Sequence, residues 1–413
     1  MAGLLATAVR SDPAGTAVHA HLVASTPAAG DTLRLPPAQI RLAFSEPVEG
    51  VMAEIRIVRP DGSVLQPVAA TDPNDVKVVV ASLAALEAGG YRVVWRVVSA
   101  DGHVVSGDYA FYVAGAEPQV LAAPPPPPVE PEPVPPLGLR AAVEALAMAA
   151  LLLFAGSLLF LEPGTRRVPR LLAALALLAP LLLAGDLLVW ALTASPGTDP
   201  AAALSRASRT TSGRIELVRL GLVLLAAWAL ALARRPRAAA VLAVAAVLAS
   251  GAAGHALART PLVEIPAKAV HLVAAAAWLG GLVRLAGADP DAADFSRRAR
   301  RVSTVALISV VAIAATGILQ AALLLPDPPS LWGSDYGRLV LAKAGGLATL
   351  VALGAFHRFR LLPRLDAGSA PTLRRSVRRE ILVFAVVLLV AAWLAQVPPP
   401  DAGMAALPEG AAR

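Results

Sequence analysis

Six histidines and no cysteine decide which coordination chemistry this 413-residue chain can offer. Without a thiol there are no disulfides, thiolate metal sites or cysteine nucleophiles, so a metal must be held by nitrogen and oxygen. Two groups of such donors stand out. The first lies in the N-terminal quarter: His19 and His21, Glu46, and the tripeptide Asp101-Gly102-His103, which taken alone reads as a turn before it reads as a ligand pair. The second lies inside long apolar stretches: Glu144, Asp186, His255, Glu264, Lys268, His271 and Lys343, with His357 and Glu380 further on. Glu264, Lys268 and His271 are spaced four and then three apart, which is one stripe of a helix, with Trp278 two turns below His271. A charged group at a bilayer centre costs at least about 2.5–3.5 kcal/mol, so these side chains should face a polar interior. Plainer readings stand beside that one: a Glu264–Lys268 interfacial ion pair, a packed His271, and a His255 that marks a close helix contact near Gly251 and Gly254.

Hydropathy supplies the elements that carry the second group. Apolar residues make up 57% of the chain and charged residues 16%, far outside the range of a soluble domain. Beyond Leu137 come eight apolar stretches near the roughly 20 residues that cross a bilayer. They are Leu139 to Leu161, Val168 to Thr193, Ile215 to Ala233, Ala238 to Leu257, Glu264 to Leu285, Val302 to Leu325, Arg338 to Phe359 and Val377 to Val397. The joints after the first, third, fifth and seventh are rich in arginine: Arg166, Arg167 and Arg170; Arg234, Arg235 and Arg237; Arg297, Arg298, Arg300 and Arg301; and Arg358 through Arg379. Basic joints mark the cytoplasmic side, so the N-terminal domain and the C-terminal tail are expected outside. In that orientation Glu144 through Lys343 fall in the outer half of the bilayer, and His357 and Glu380 at its inner rim. The net charge of +7 then reports topology and no nucleic-acid partner.

The first group needs a different scaffold. From His21 to Val113 the period is that of strands: Gln39 to Phe44, Ala53 to Val58, Val76 to Ala81, Tyr91 to Ser99 and Val104 to Val113, with Asp61-Gly62, Gly89-Gly90 and Asp101-Gly102 as turn signals. Tyr91, Val93, Trp95 and Val97 alternate onto one face. The expectation is a multi-domain chain, an all-β Ig-like or Greek-key sandwich followed by an all-α membrane bundle of eight transmembrane helices. Its divisions are a poor or truncated signal region at 1–18, the sandwich at 19–114, a proline-rich linker at 115–136, the bundle at 137–397 and an extracytoplasmic tail at 398–413. Ten prolines make the linker a semi-rigid spacer. It reaches roughly 60–70 Å at full extension, so the sandwich can stand off the membrane or fold back on it. Gly3 to Val9 is a short apolar run with no basic residue before it, so either the true start is earlier or the export signal is atypical.

The segments His19 to Pro27, Phe44-Ser45-Glu46-Pro47 and Ser99-Ala100-Asp101-Gly102-His103 resemble the copper-binding periplasmic CopC family along nearly the whole sandwich. Beyond Leu137 the sequence is similar to the CopD membrane family. The matching residues are Gly254-His255-Ala256, His271 with Trp278-Leu279-Gly280-Gly281, Phe295-Ser296, Tyr336-Gly337 with Lys343, and Arg358-Phe359-Arg360-Leu361-Leu362-Pro363. His357 stands where that family has asparagine and inherits no role. The resemblance implies Cu(II) at the extracytoplasmic domain, held by the amine and imidazole of a mature N-terminal His19 together with Asp101 and His103. Glu46 matches a further acidic position, and His21 is either an accessory ligand or a solvated strand residue. Nitrogen and carboxylate donors suit Cu(II), whereas Met1, Met52, Met148 and Met404 form no cluster for Cu(I). Asp186, His255 and His271, with Lys268 and Lys343 near them, are the expected copper path through the bundle.

No nucleotide-binding or phosphorylation motif is present, so transport within this chain would not be driven by ATP. The expected function is non-enzymatic copper uptake across the cell membrane. Its partners are the copper ion and the lipid bilayer, with a periplasmic copper chaperone as a further candidate. Two other readings stand: a copper buffer or sensor anchored by its membrane part, and a haem or electron-transfer protein using His255, His271 and His357 as axial ligands.

Overall fold

The alternating segments fold as two facing sheets. The computed structural model describes residues 20–100, 102–114, 137–161, 168–252, 261–325, 327–367, 369–397 and 400. One sheet has the order β1 (Leu22–Thr26), β3 (Gln39–Phe44), β7 (Asp75–Ser82), β6 (Ala69–Asp72). The other runs β2 (Thr32–Leu33), β9 (Val104–Val113), β8 (Gly89–Val98), β4 (Glu54–Val58), β5 (Val64–Leu65). Every pairing is antiparallel except β2 with β9. Ile40, Leu42 and Phe44 of β3 and Val79 of β7 pack against Ile55 and Ile57 of β4 and the alternating Tyr91, Val93, Trp95 and Val97 of β8. Phe44 meets Trp95 edge-on at 5.2 Å between ring centres. Burial of Tyr109 on β9 pushes its hydroxyl pKa up to about 12.

One sequence expectation fails here. Gly89-Gly90 is not a turn: both residues open β8, paired with Val113 and Tyr112. A Cβ at Gly89 would lie 2.5 Å from Pro60 Cγ, so glycine serves close approach at that point.

The apolar stretches fold as helices: α1 (Leu137–Leu159), α2 (Arg170–Ala194), α3 (Pro200–Ala207), α4 (Thr211–Ala231), α5 (Pro236–Ala249), α6 (Pro261–Ala286), α7 (Phe295–Leu324), α8 (Ser330–Gly333), α9 (Asp335–Phe356) and α10 (Ala370–Leu394). Each of the eight expected stretches overlaps one of these helices, although 238–257 does so only as far as Ala249 and its residues 253–257 lie outside the described ones, while the short α3 and α8 lie in joints. Among the described residues five helical segments are long and apolar enough to cross a membrane: 138–159, 170–194, 262–286, 295–324 and 335–365. The other three fall short for visible reasons. Helix α5 has 14 residues, α4 carries Arg214, Glu216 and Arg219 near its start, and the first half of α10 holds four arginines and Glu380.

Small residues bring the helices together. On α1, a Cβ at Gly156 would lie 1.8 Å from the Ala276 carbonyl oxygen of α6, and Gly280 of α6 meets the Gly156 backbone in return. Backbones in direct contact at a glycine crossing are typical of helices that must associate without a hydrophobic driving force. Leu177, Leu181, Ile318 and Leu389 instead point outward and are well exposed, as lipid-facing positions would be.

The β-domain is folded back onto one end of the bundle. Met52 and Val98 share an apolar cluster with Leu187, Trp190, Ala191 and Ala194 of α2 and Ala203 and Ala207 of α3. Asp199 caps α3 and Thr210 caps α4 through their side-chain oxygens, which fixes the ledge on which the β-domain rests.

Candidate functional site

Three segments distant in sequence meet at the bundle-facing end of the sandwich. His21 donates its main-chain N–H to Ser45 Oγ at 3.1 Å, and Ser45 returns its own N–H to the His21 carbonyl at 3.0 Å. Glu46 and Pro47 follow directly, and Pro47 O accepts from Ala100 N at 2.9 Å. That bond ties the Glu46 segment to the β8–β9 turn. The turn closes through Gly102 N to Ser99 O at 2.8 Å and Ser99 N to His103 O at 2.9 Å. Gly102 sits at φ +87°, a conformation that costs glycine nothing. His21 is exposed, whereas Glu46 and His103 are half-buried. The imidazole and carboxylate donors brought to this end are of the types that suit Cu(II). His19 and Asp101 lie outside the described residues. Among the described residues no group of three or more His, Asp or Glu side chains forms a metal-binding cluster.

The turn is seated on the bundle by main-chain atoms. Trp190 Nε1 donates to Gly102 O at 2.8 Å, Ser212 Oγ to Ala100 O at 3.4 Å, and Thr211 N to Glu49 Oε1 at 2.7 Å. His103 Nε2 lies 3.2 Å from the carbonyl oxygen of Ala395, just past the end of α10.

Directly beneath this contact lies a cavity of about 240 Å³, bounded by Gly102 and His103 and by residues of the helices. Its walls carry the carboxylates Glu144 of α1, Asp186 of α2, Glu216 of α4 and Glu264 of α6, against the cations Arg140, Arg219 and Lys268. Arg219 is 4% exposed and is paired with Glu216 one turn before it. Gln396 Nε2 donates to Glu144 Oε2 at 2.6 Å. A chamber balanced in this way can stabilise a hydrated cation by carboxylate contact while its own fixed charges nearly cancel.

Asp186 and Lys268, expected on the path, both line this chamber. His271 and Lys343 are not among its lining residues. His271 Nδ1 is 2.9 Å from Thr316 Oγ1 of α7, whose hydroxyl also lies 2.6 Å from Ala312 O. His255 lies outside the described residues. His357 lies in a π-helical turn at 357–361, with Nδ1 3.0 Å from Glu380 Oε2 and Nε2 2.7 Å from Ser376 Oγ. Trp278 Nε1 donates to the other Glu380 oxygen at 3.0 Å, so α6, α10 and the end of α9 share one buried polar cluster.

Sequence reasoning did not single out Arg140, Glu216, Arg219 and Gln396. For Glu216 and Arg219 a signal existed: two opposite charges three apart at the head of an apolar stretch. Gln396 carries no such mark.

Residues 22–114 match the CopC domain, and residues 296–394 match the family described as copper resistance protein D, CopD. The copper transport protein CutJ of Bacillus subtilis (strain 168) is 27% identical over 94% of this chain and 76% of that protein. Protein YobA of Escherichia coli (strain K12) is 38% identical over 23% of this chain and 78% of YobA. The crystal structure of CopC from Methylosinus trichosporium OB3b is 31% identical, covering 24% of this chain and 97% of that one, with a TM-score of 0.23.

Proposed function

As a member of the CopC–CopD proteins, carrying both domains in one polypeptide, this chain has a copper-related function, and we propose that the function is uptake. In this reading the β-domain lies outside the cell membrane and binds Cu(II) through His19, Asp101 and His103, with Glu46 beside them. The ion then enters the bundle of eight membrane-crossing helices through the chamber beneath. The observation that carries the reading is the position of His103, whose side chain belongs at once to the metal-donor end of the sandwich and to the rim of the charged chamber. Asp186 and Glu144 offer the next carboxylates, and Lys268 and Arg219 balance them when no cation is present. The ion is cargo, and the residues act by charge and coordination alone.

Substitution at the β-domain site can separate uptake from buffering. A buffer needs the β-domain site only, whereas uptake also needs the chamber. His103→Ala should lower Cu(II) affinity by orders of magnitude in titrations of the full chain and change its EPR spectrum. Cellular copper accumulation should rise with the wild-type protein and fall with His103→Ala at equal protein abundance. Copper tolerance without accumulation would establish buffering instead, and an unchanged titration would remove His103 from the site.

A further inference from the structure

We infer that the membrane domain tunes the copper site of the β-domain: the main-chain carbonyl of Ala395 fixes the tautomer of His103, so docking and Cu(II) binding strengthen each other. The inference rests on the reading of His103 as a copper ligand. A carbonyl oxygen only accepts, so the 3.2 Å contact from His103 Nε2 requires the proton to sit on Nε2. A neutral imidazole then carries its ligating lone pair on Nδ1. Metal-bound imidazoles generally donate their second N–H to a carbonyl or carboxylate, which holds the ring in orientation and raises its basicity. Here that acceptor is separated from His103 by 292 positions of sequence and belongs to the other domain.

Both sides of the contact are held. Ala395 N donates to Ala391 O at 3.0 Å, and the neighbouring Gln396 is tied to Glu144 of α1. On the β-domain side the turn is clamped by Trp190 to Gly102 O and by the apolar cluster around Met52. Undocking would replace the Ala395 acceptor of Nε2–H by water and remove the constraint this carbonyl places on the tautomer and orientation of the ring. Loss of such a second partner generally lowers metal affinity about 10–100-fold. Reciprocity of linkage then requires Cu(II) to raise the docking constant by the same factor.

The test uses the full chain in lipid nanodiscs with Trp190→Ala and Met52→Asp combined, which loosens the dock and leaves His19, Asp101 and His103 in place. Hydrogen exchange of segments 99–104 and 391–397 reports docking, a competition titration reports Cu(II) affinity, and histidine ¹⁵N shifts report the tautomer. The expected results are faster exchange of both segments, affinity lower by about 10–100-fold, and loss of the Nε2–H signature. In the wild type, added Cu(II) should slow exchange of 391–397, a segment with no proposed ligand. A loosened variant that binds Cu(II) within twofold of wild type overturns the coupling. Unchanged exchange in that variant overturns it as well, because the dock would then not be held by these contacts. His103→Ala keeps the two claims apart: if it leaves affinity intact, the ligand reading itself falls. If it abolishes binding while the dock variant does not weaken it, only the coupling falls.

Discussion

Adding one methyl group to Gly156 should cost the bundle more than any surface change, while the same addition at Gly345 should help it. The Cβ of Gly156→Ala would meet Ala276 O at 1.8 Å and its carbonyl carbon at 2.7 Å. Carbon contacts settle near about 3.5–4.0 Å, so α1 and α6 must part by more than an ångström or bend. The obstacle is backbone on the partner helix, which has no rotamer to yield. Overpacking of this kind costs about 1–3 kcal/mol, and the upper half of that range is expected here because Phe154, Ala155 and Leu158 lose their fit together. Near 3 kcal/mol the folded-to-unfolded ratio changes by about two orders of magnitude. Gly345 on α9 has nothing within 4 Å of its Cβ position, so Gly345→Ala should gain about 0.5–1 kcal/mol from helix propensity alone. Thermal and denaturant unfolding in the same detergent would measure both. Equal shifts in the two variants, or a Gly156→Ala protein as stable as wild type, would refute the account of the α1–α6 crossing.

Other outcomes follow from single groups. Removing the Glu380 carboxylate in Glu380→Leu strands Trp278 Nε1 and takes one partner from the His357 imidazole, and a loss of about 1–3 kcal/mol for each buried donor left unsatisfied is expected. Trp278 is the reporter: its emission should shift on substitution, and Glu380→Gln, which can still accept from it, should lose less. Asp186→Asn and Glu144→Gln, which both alter carboxylates of the chamber, should lower cellular copper accumulation at constant protein abundance with Cu(II) binding by the β-domain unchanged. Accumulation that falls only in proportion to lost protein would leave these residues a packing role. For Tyr109 the folded pKa, about 12, lies above the unfolded value near 10. The buried neutral phenol therefore contributes stability below about pH 10, and that contribution is lost as pH rises towards 12. Absorbance at alkaline pH should show one tyrosine ionising late, and its absence in Tyr109→Phe would assign it.

The β-domain was legible because its strands are β-branched runs with period two, and Tyr91 to Val97 bury the face the alternation marks. Gly89-Gly90 misled because glycine before a strand signals either a turn or a close approach, and only the position of Pro60 decides. For the helices, length and apolarity are local properties, so their positions could be read directly. Rotation about the helix axis could not. Glu264, Lys268 and His271 lie on one stripe about 100° wide, which is broad enough for Lys268 to line the chamber while His271 turns to Thr316. The chamber itself depends on α1, α2, α4 and α6 converging beneath a turn of the other domain, and no local pattern encodes that convergence.

The seating of the β-domain has a consequence for how such proteins diverge. At Gly102, Ala100, Ala395 and Thr211, one partner in each polar contact is a main-chain group. A peptide unit is the same whatever side chain it bears, so Ala100, Ala395 and Thr211 are free to drift without loosening the joint, whereas Gly102 is held to glycine by its φ of +87°. Covariation between the two halves of a fused protein would therefore leave most of this seam unmarked. A lineage that split the chain into two genes could keep the fit while its sequence record showed little trace of it.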